Sequence, residues 1–515
     1  MSLPKTTSRC LSSLTSSRLS AAPRISLPSR VASPRGLTRL SPHLTSTVKC
    51  QTRSFSAANH VDASQLQFGQ PLHETHPHLL KAGELTPGIT AQEYYDRRLR
   101  LCQHLPAGSV ILVEAATLKW ASGSVFYPFR QDCNFLYLTG FQEDSAVAAI
   151  HKVSDNPDDI YFHLFVHPKN PAMEQWAGPR SGVVAARDVW NADSAHDIAE
   201  LSLRLPEILK HATMIYADVE KPKPGQAGSK LWDLLQAGAG TEASAQASGK
   251  IERLSPLMDT LRLVKSEAEI ANMRQAGRLA GRAITDLMRR EWAFERDIEV
   301  ALEYDVKRSG CTGLSFIPVV AGGKNTLCVH YVLNNAAIPA DSLILVDAGG
   351  EYGNYVSDIT RVWPQNGRFS AAQRDLYEAL LSVQRRCVTL CRESANNSLN
   401  DIHREARTGI ATELEKLGFS SAFGYIDKLF NHHVGHYVGL DVHDCATISR
   451  SIPLKAGHCV TIEPGIYIPE DSRYPAHFHN MGMRIEDSIA VDKDSPINLT
   501  VEAVKEIPDI EALRV

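Results

Sequence analysis

The stretch SLILVDAGGEYGNYVSDITRVWP, residues 342–364, dictates more of the fold than any other part of the chain. An apolar run, Leu343 to Val346, ends in Asp347. A Gly-rich turn follows, and Tyr355 to Trp363 runs back carrying Asp358. With a two-residue turn at Gly353-Asn354, Asp347 pairs opposite Thr360. Asp358 then shares a face with Asp347, one diagonal away. Two carboxylates on one buried face repel each other and lose hydration. They must neutralise, pair with bases or turn NH groups, or bind metal. The hairpin alone leaves these alternatives open.

Downstream residues shift the balance. NHHVGHYVGLDVHD places His432, His433, His436 and His443 within twelve positions, among glycines that permit close backbone approach. VTIEPG ends an apolar strand in Glu463 just before a Pro-Gly turn. MGMRIEDSIAV puts Glu486 on a strand, with Arg484 two positions earlier on the same face. Two Asp, one His and two Glu at strand ends form an oxygen-rich set with one imidazole. Such a set suits two hard or borderline divalent ions such as Mn²⁺ better than a thiolate zinc site. His433 reads as a spectator.

The rest of the chain organises around this half. Residues 1–55 hold nine bases and no acid, and are rich in Ser and Arg, the signature of a mitochondrial transit peptide. Without them, 45 bases face 58 acids. A polar linker is expected over 56–85. The capping-box spacing Thr90-x-x-Glu93 opens a helix, followed by strands at 109–113, 135–141, 146–153 and 159–166 and a helical stretch at 194–211. This reads as an α/β domain over 86–255. Residues 236–250, small and polar, read as a flexible insertion. A second capping box, Ser266 to Glu269, opens a long amphipathic helix at about 267–290 within a catalytic domain spanning 256–515. Further helices are expected at 295–308, 371–394 and 400–417. No run of 18 apolar residues exists, and the net charge of −4 gives no nucleic-acid footprint. Ten Cys without a CxxC pair read as mostly buried free thiols of a reducing compartment rather than a disulfide framework.

Together the motifs, with YPFRQDCNFLYLTGF (127–141) and EQWAGPR (174–180), resemble the pita-bread metallopeptidases. The resemblance is to the aminopeptidase P (Xaa-Pro aminopeptidase) branch, in its mitochondrial subgroup that includes the intermediate-cleaving peptidases. It implies an α/β N-terminal domain followed by an α+β pita-bread catalytic domain. It also implies two divalent ions, Mn²⁺ foremost, held by Asp347, Asp358, His436, Glu463 and Glu486, with Asp358 and Glu486 bridging. His330 and His443 would stabilise the oxyanion or position substrate, His432 would line the pocket beyond the scissile bond, Glu463 would shuttle a proton, and Arg484 would support a ligand acid. The implied substrates are free N-termini of peptides or imported proteins, and the implied assembly is a homo-oligomer. The location implied is the mitochondrial matrix or the periphery of the inner membrane. Alternatives are a prolidase-like Xaa-Pro dipeptidase, a creatinase-like metal-free hydrolase and a non-catalytic binding module. The filled metal quintet disfavours the last two.

Overall fold

The apolar runs of the first half pair into a single six-stranded sheet. The computed structural model describes residues 66–219, 230–237 and 251–514. Strands Ser109–Glu114 (β1), Val147–Lys152 (β2), Ile160–Val166 (β3), Ser194–Asp197 (β4), Met214–Tyr216 (β5) and Ile251–Glu252 (β6) lie in the order β6-β5-β1-β2-β3-β4. The central three are antiparallel; β4, β5 and β6 join in parallel. Helices Ala91–Gln103 (α1), Cys133–Thr139 (α2) and Leu201–Leu209 (α3) accompany the sheet. The transit peptide, residues 56–65 of the linker and residues 238–250 of the insertion lie outside the described residues.

Several sequence-based expectations change here. Residues 135–141 were expected as a strand, but most of them form α2. An apolar run this short has no periodicity to separate the two. The deciding signals are its ends: the Asp132 side chain accepts from the Phe135 amide at 2.8 Å, and Gly140 closes the helix at φ 67°. The stretch 194–211 is not one helix. It begins as edge strand β4, and Asp197 then caps a short turn that leads into α3. Thr90 caps α1 through the Glu93 amide, but the Glu93 carboxylate turns away to Arg97 and the Ser266 hydroxyl, so the box is half formed. Residues 66–85, expected as linker, are folded against the first domain, with Leu72, Leu80 and Leu85 buried.

The second half carries strands Val319–Gly322 (β7), Leu343–Ala348 (β8), Gly350–Tyr352 (β9), Tyr355–Val356 (β10) and Ile359–Pro364 (β11). Strands Cys459–Ile462 (β12), Gly465–Ile468 (β13), Met481–Arg484 (β14) and Asp487–Ala490 (β15) follow. Helices Glu267–Leu287 (α4), Glu295–Arg308 (α5), Ala371–Thr389 (α6) and Leu399–Lys416 (α7) pack their apolar stripes over these short antiparallel sheets. The box Ser266–Glu269 is complete. The hairpin turns at Gly353-Asn354, both at positive φ (57° and 69°), and Asp347 pairs with Thr360. All eight described Cys are free, and Cys328 alone among them is exposed. No described helix is long and apolar enough to cross a membrane.

A buried charge cluster of the second half lies where Arg130 and Cys133 of the first half meet it. Arg262 and Lys265 both reach Asp444, Lys265 at 2.9 Å, and Arg262 also reaches Asp441 at 2.7 Å. Asp441 lies 3.1 Å from the Cys133 thiol, and Arg130 donates to the Leu440 carbonyl and to Glu351. Burial opposes the charge on Asp444, but the two cations hold its carboxyl down at about 2. Its stabilising contribution is therefore complete above the ordinary carboxylate pKa and is lost as pH falls through about 2. Asp444→Ala would leave the buried Lys265 without its carboxylate and Arg262 with Asp441 alone. Unfolding experiments at neutral pH should read a loss of about 3–5 kcal/mol, and the difference from the parent should vanish in strong acid.

Candidate metal centre

Strand ends deliver the predicted acids to one cleft. Asp347 is the fifth residue of β8, and Asp358 stands just before β11, its amide held by the Ser488 hydroxyl at 3.0 Å. Glu463 and Glu486 sit in the breaks between β12 and β13 and between β14 and β15, rather than within strands. Their amides bond to the carbonyls of Val434 (2.8 Å) and Thr360 (3.1 Å). A break aims a side chain across the sheet, which a continuous strand would not do. All five members of the expected quintet line one cavity of about 850 Å³, together with His330, His432, His443 and Arg484.

Within it Asp358, His436 and Glu486 place ligand atoms within 4.8 Å of one another. Glu463 reaches His436 Nε2 at 3.7 Å, and Asp358 reaches the same nitrogen at 3.5 Å. Asp347 stands to the side, its Oδ2 held by Arg484 Nη2 at 2.5 Å. The His436 Nδ1 faces the Tyr437 carbonyl at 3.0 Å, which can only accept, so Nδ1 carries a proton and Nε2 is the nitrogen turned toward the acids. Gly435 makes this placement possible: a Cβ there would lie 1.9 Å from the Thr461 carbonyl oxygen.

The site has too much negative charge for its surroundings. Burial, then the neighbouring acids, pushes the Glu486 carboxyl far above its usual range. Burial also raises Asp347 to about 6 and Glu463 to about 7, despite the opposing pull of Arg484 and His436. On His436 burial acts downward, but Asp358 and Glu463 outweigh it and lift the imidazole to about 9. Two carboxylate oxygens, Asp347 Oδ1 and Asp358 Oδ1, are buried with no hydrogen-bond partner. Orphaned anionic oxygens around one imidazole nitrogen, which would give up its proton to a cation, fit divalent ions, and hard ones better than soft.

Supporting residues surround the acids. Arg484 also donates to Thr360 Oγ1 (3.0 Å) and Tyr467 OH (2.7 Å), and Thr360 in turn donates to Glu486 Oε2 at 2.6 Å. Arg484 thus contacts Asp347 directly and Glu486 through Thr360. His432 Nδ1 meets the His433 carbonyl at 2.9 Å and its Nε2 meets Tyr467 OH at 3.0 Å. The His443 ring stands edge-on to His436, centroids 4.4 Å apart, while His433 turns away to Gly435 and Asn400. Thr360, Thr461 and Tyr467 escaped sequence reading. Thr360 alone carried a signal, its cross-strand pairing with Asp347.

Two family models match the chain. The model of metallopeptidase family M24 matches residues 271–493, and that of the aminopeptidase P N-terminal domain matches residues 94–216. Intermediate cleaving peptidase 55 of Saccharomyces cerevisiae is 44% identical over 451 residues, covering 87% of this chain and 88% of the relative. The chain belongs to metallopeptidase family M24. Xaa-Pro aminopeptidase 3 of Homo sapiens is 38% identical over 466 residues, covering 87% and 90%. The crystal structure of Icp55 from S. cerevisiae superposes with a TM-score of 0.78 at 40% identity, covering 84% of this chain and 99% of that one. Aminopeptidase P from E. coli with the inhibitor Pro-Leu gives 0.75 at 31%, covering 82% and 98%. The expected architecture, an aminopeptidase P N-terminal domain followed by a pita-bread catalytic domain, therefore holds, and the protein is a metallo-aminopeptidase that works with divalent ions.

Gly435→Ala tests the local geometry. The added methyl must displace Thr461 or His436, so isothermal titration should find divalent-metal affinity lowered at least about tenfold, the range seen when a ligand's support is lost.

Proposed function

We propose that this M24 aminopeptidase removes a single N-terminal residue from mitochondrial proteins after their presequences have been cut. The observation that carries this reading is the cleft itself. Partnerless carboxylate oxygens lie at its floor, His330, His432 and His443 line it, and Phe316, Ile317, Val329, Val332 and Val442 form an apolar wall. An anionic floor favours the ammonium of a free N-terminus. The apolar wall favours a bulky first side chain. Relatives named intermediate cleaving peptidase in two yeasts and in Arabidopsis thaliana, the last also named mitochondrial, support the same assignment and a mitochondrial location. We place the protein in the matrix or at the inner-membrane periphery. Xaa-Pro peptides are the second reading, favoured by the Xaa-Pro aminopeptidase 3 relatives.

Asp347, Asp358, His436, Glu463 and Glu486 would hold two divalent ions, manganese first among the candidates. When bound, such ions polarise a carbonyl and acidify water. The chain's own groups do the rest. His330 and His443 donate hydrogen bonds to the oxygen that gains charge as the peptide carbonyl becomes tetrahedral. Glu463 accepts a proton from water at its carboxylate and passes it to the leaving amine. Its Oε2 lies 3.7 Å from His432 Nδ1. Arg484 keeps Asp347 ionised and fixed.

Mass spectrometry of peptide N-termini, before and after incubation with Mn²⁺-loaded protein, tests the proposal. Loss of one residue from Phe-Ser peptides is the expected result. Turnover confined to Xaa-Pro peptides would favour the second reading, and turnover confined to Xaa-Pro dipeptides a prolidase-like one. The chain's own Arg53-Ser54-Phe55-Ser56 would make it a substrate of itself, so its mature N-terminus is expected at Ser56, or at Phe55 before trimming.

Asp358→Asn or Glu486→Gln should abolish both metal content, by elemental analysis, and activity. His443→Ala should keep the metal and lose about two to three orders of magnitude in kcat.

A further inference from the structure

The loop that carries His330 has little to hold it. Residues 328–337 form no regular element, Val332 and Leu333 are exposed, and His330 itself is exposed at the cleft. Apolar packing therefore cannot fix the imidazole. Two polar anchors are present instead. Asn334, at φ 49°, bonds through its side chain to the Val320 amide (3.0 Å) and the Pro318 carbonyl (2.9 Å), pinning one end of the loop to β7. The second anchor comes from another element.

Glu295, the first residue of α5, is fully buried. Its Oε1 accepts from the Gly322 amide at 2.8 Å and from Asn325 Nδ2 at 2.9 Å. Its Oε2 accepts from Tyr331 OH at 2.8 Å and from the Ala336 amide at 2.9 Å. All four donors belong to the stretch 322–336, and they lie on both sides of His330. One of them, Tyr331, is its neighbour in sequence. The Glu295 backbone amide also donates to the Ala336 carbonyl at 3.0 Å. A carboxylate accepting four bonds is a strong, directional clamp, and the helix N-terminus beneath it favours its charge. Removing it would leave buried donors unmet and the loop free to shift.

We propose that Glu295 is the positioning residue for His330, setting the loop that presents the imidazole and the apolar residues Val329 and Val332 to the cleft. This rests on His330 acting in the reaction, as set out under Proposed function. Glu295 touches no reacting atom. It acts through the loop, so its loss should be felt only where His330 is present.

The test is a double-mutant cycle on the full-length, Mn²⁺-loaded enzyme, reading kcat, KM, metal content and thermal midpoint for Glu295→Gln, His330→Ala and the pair. Glutamine keeps the volume but turns an NH₂ group toward two of the donors. Glu295→Gln should lower kcat by about 10- to 100-fold, the cost of a small misplacement of a working group, and raise KM, with bound metal unchanged. In the His330→Ala background the same change should alter kcat by less than about twofold. Tyr331→Phe removes one donor and leaves the carboxylate buried and otherwise bonded. It should show a smaller loss with the same dependence on His330, and it carries the test if Glu295→Gln does not fold. An unchanged kcat in Glu295→Gln, or an equal loss in both backgrounds, overturns the proposal. If His330→Ala keeps the parent kcat, the role of His330 falls, and the Glu295 proposal falls with it by a separately recognisable route.

Discussion

Mutual repulsion among buried carboxylates governs this molecule. Four acids converge around one imidazole in a single cleft, and two of their oxygens have no hydrogen-bond partner. A fold does not assemble such a cluster for stability, because each uncompensated charge opposes it. The arrangement makes sense as a receptor for cations, and its surroundings hold the acids in place against their own repulsion. Arg484 is the main restraint inside the cleft, since it ties Asp347 to Thr360 and, through Thr360, to Glu486.

A second arginine does similar work behind the sheet. Arg361, fully buried, pairs with Asp487 at 2.7 Å and donates to the backbone carbonyls of Glu486, Ala503 and Val504. Asp487 is held further by Lys505 and by Gln384 at 2.9 Å. Positions 361 and 487 each lie beside a residue that faces the cleft, on the opposite side of its strand. The same alternation that sends Thr360 toward the cleft sends its neighbour into this rear network. The cleft thus has a front lined by acids and a back braced by bases, built from adjacent residues.

Much of this was legible in the sequence because it depends on strict local rules. The hairpin register followed from a Gly-Asn turn and a period of two, and the Ser266 box marked the start of α4 to the residue. The four acids stood out because each ends or follows an apolar run, where a carboxylate is otherwise poorly tolerated. The failures have physical causes as well. Residues 135–141 carry no charged residue, and their one hydroxyl-bearing aliphatic, Thr139, is buried too, so no helical period shows and the signals that mark the helix are Asp132 and Gly140. Glu93 looked like a capping partner, but the i,i+4 pair with Arg97 and the long-range bond from Ser266 replace the capping bond. Tyr467 and Glu295 gave no signal, since their partners lie 17 to 41 positions away and arrive only through folding.

The rear brace has a consequence for biogenesis. Its carbonyls and its lysine come from residues 503–505, whereas the strand they secure is laid down some 140 residues earlier in the order of synthesis. A chain made with its N-terminus leading cannot close the rear of these strands until residues 503–505 have followed, so the back of the metal cleft is completed after its front strands are already made.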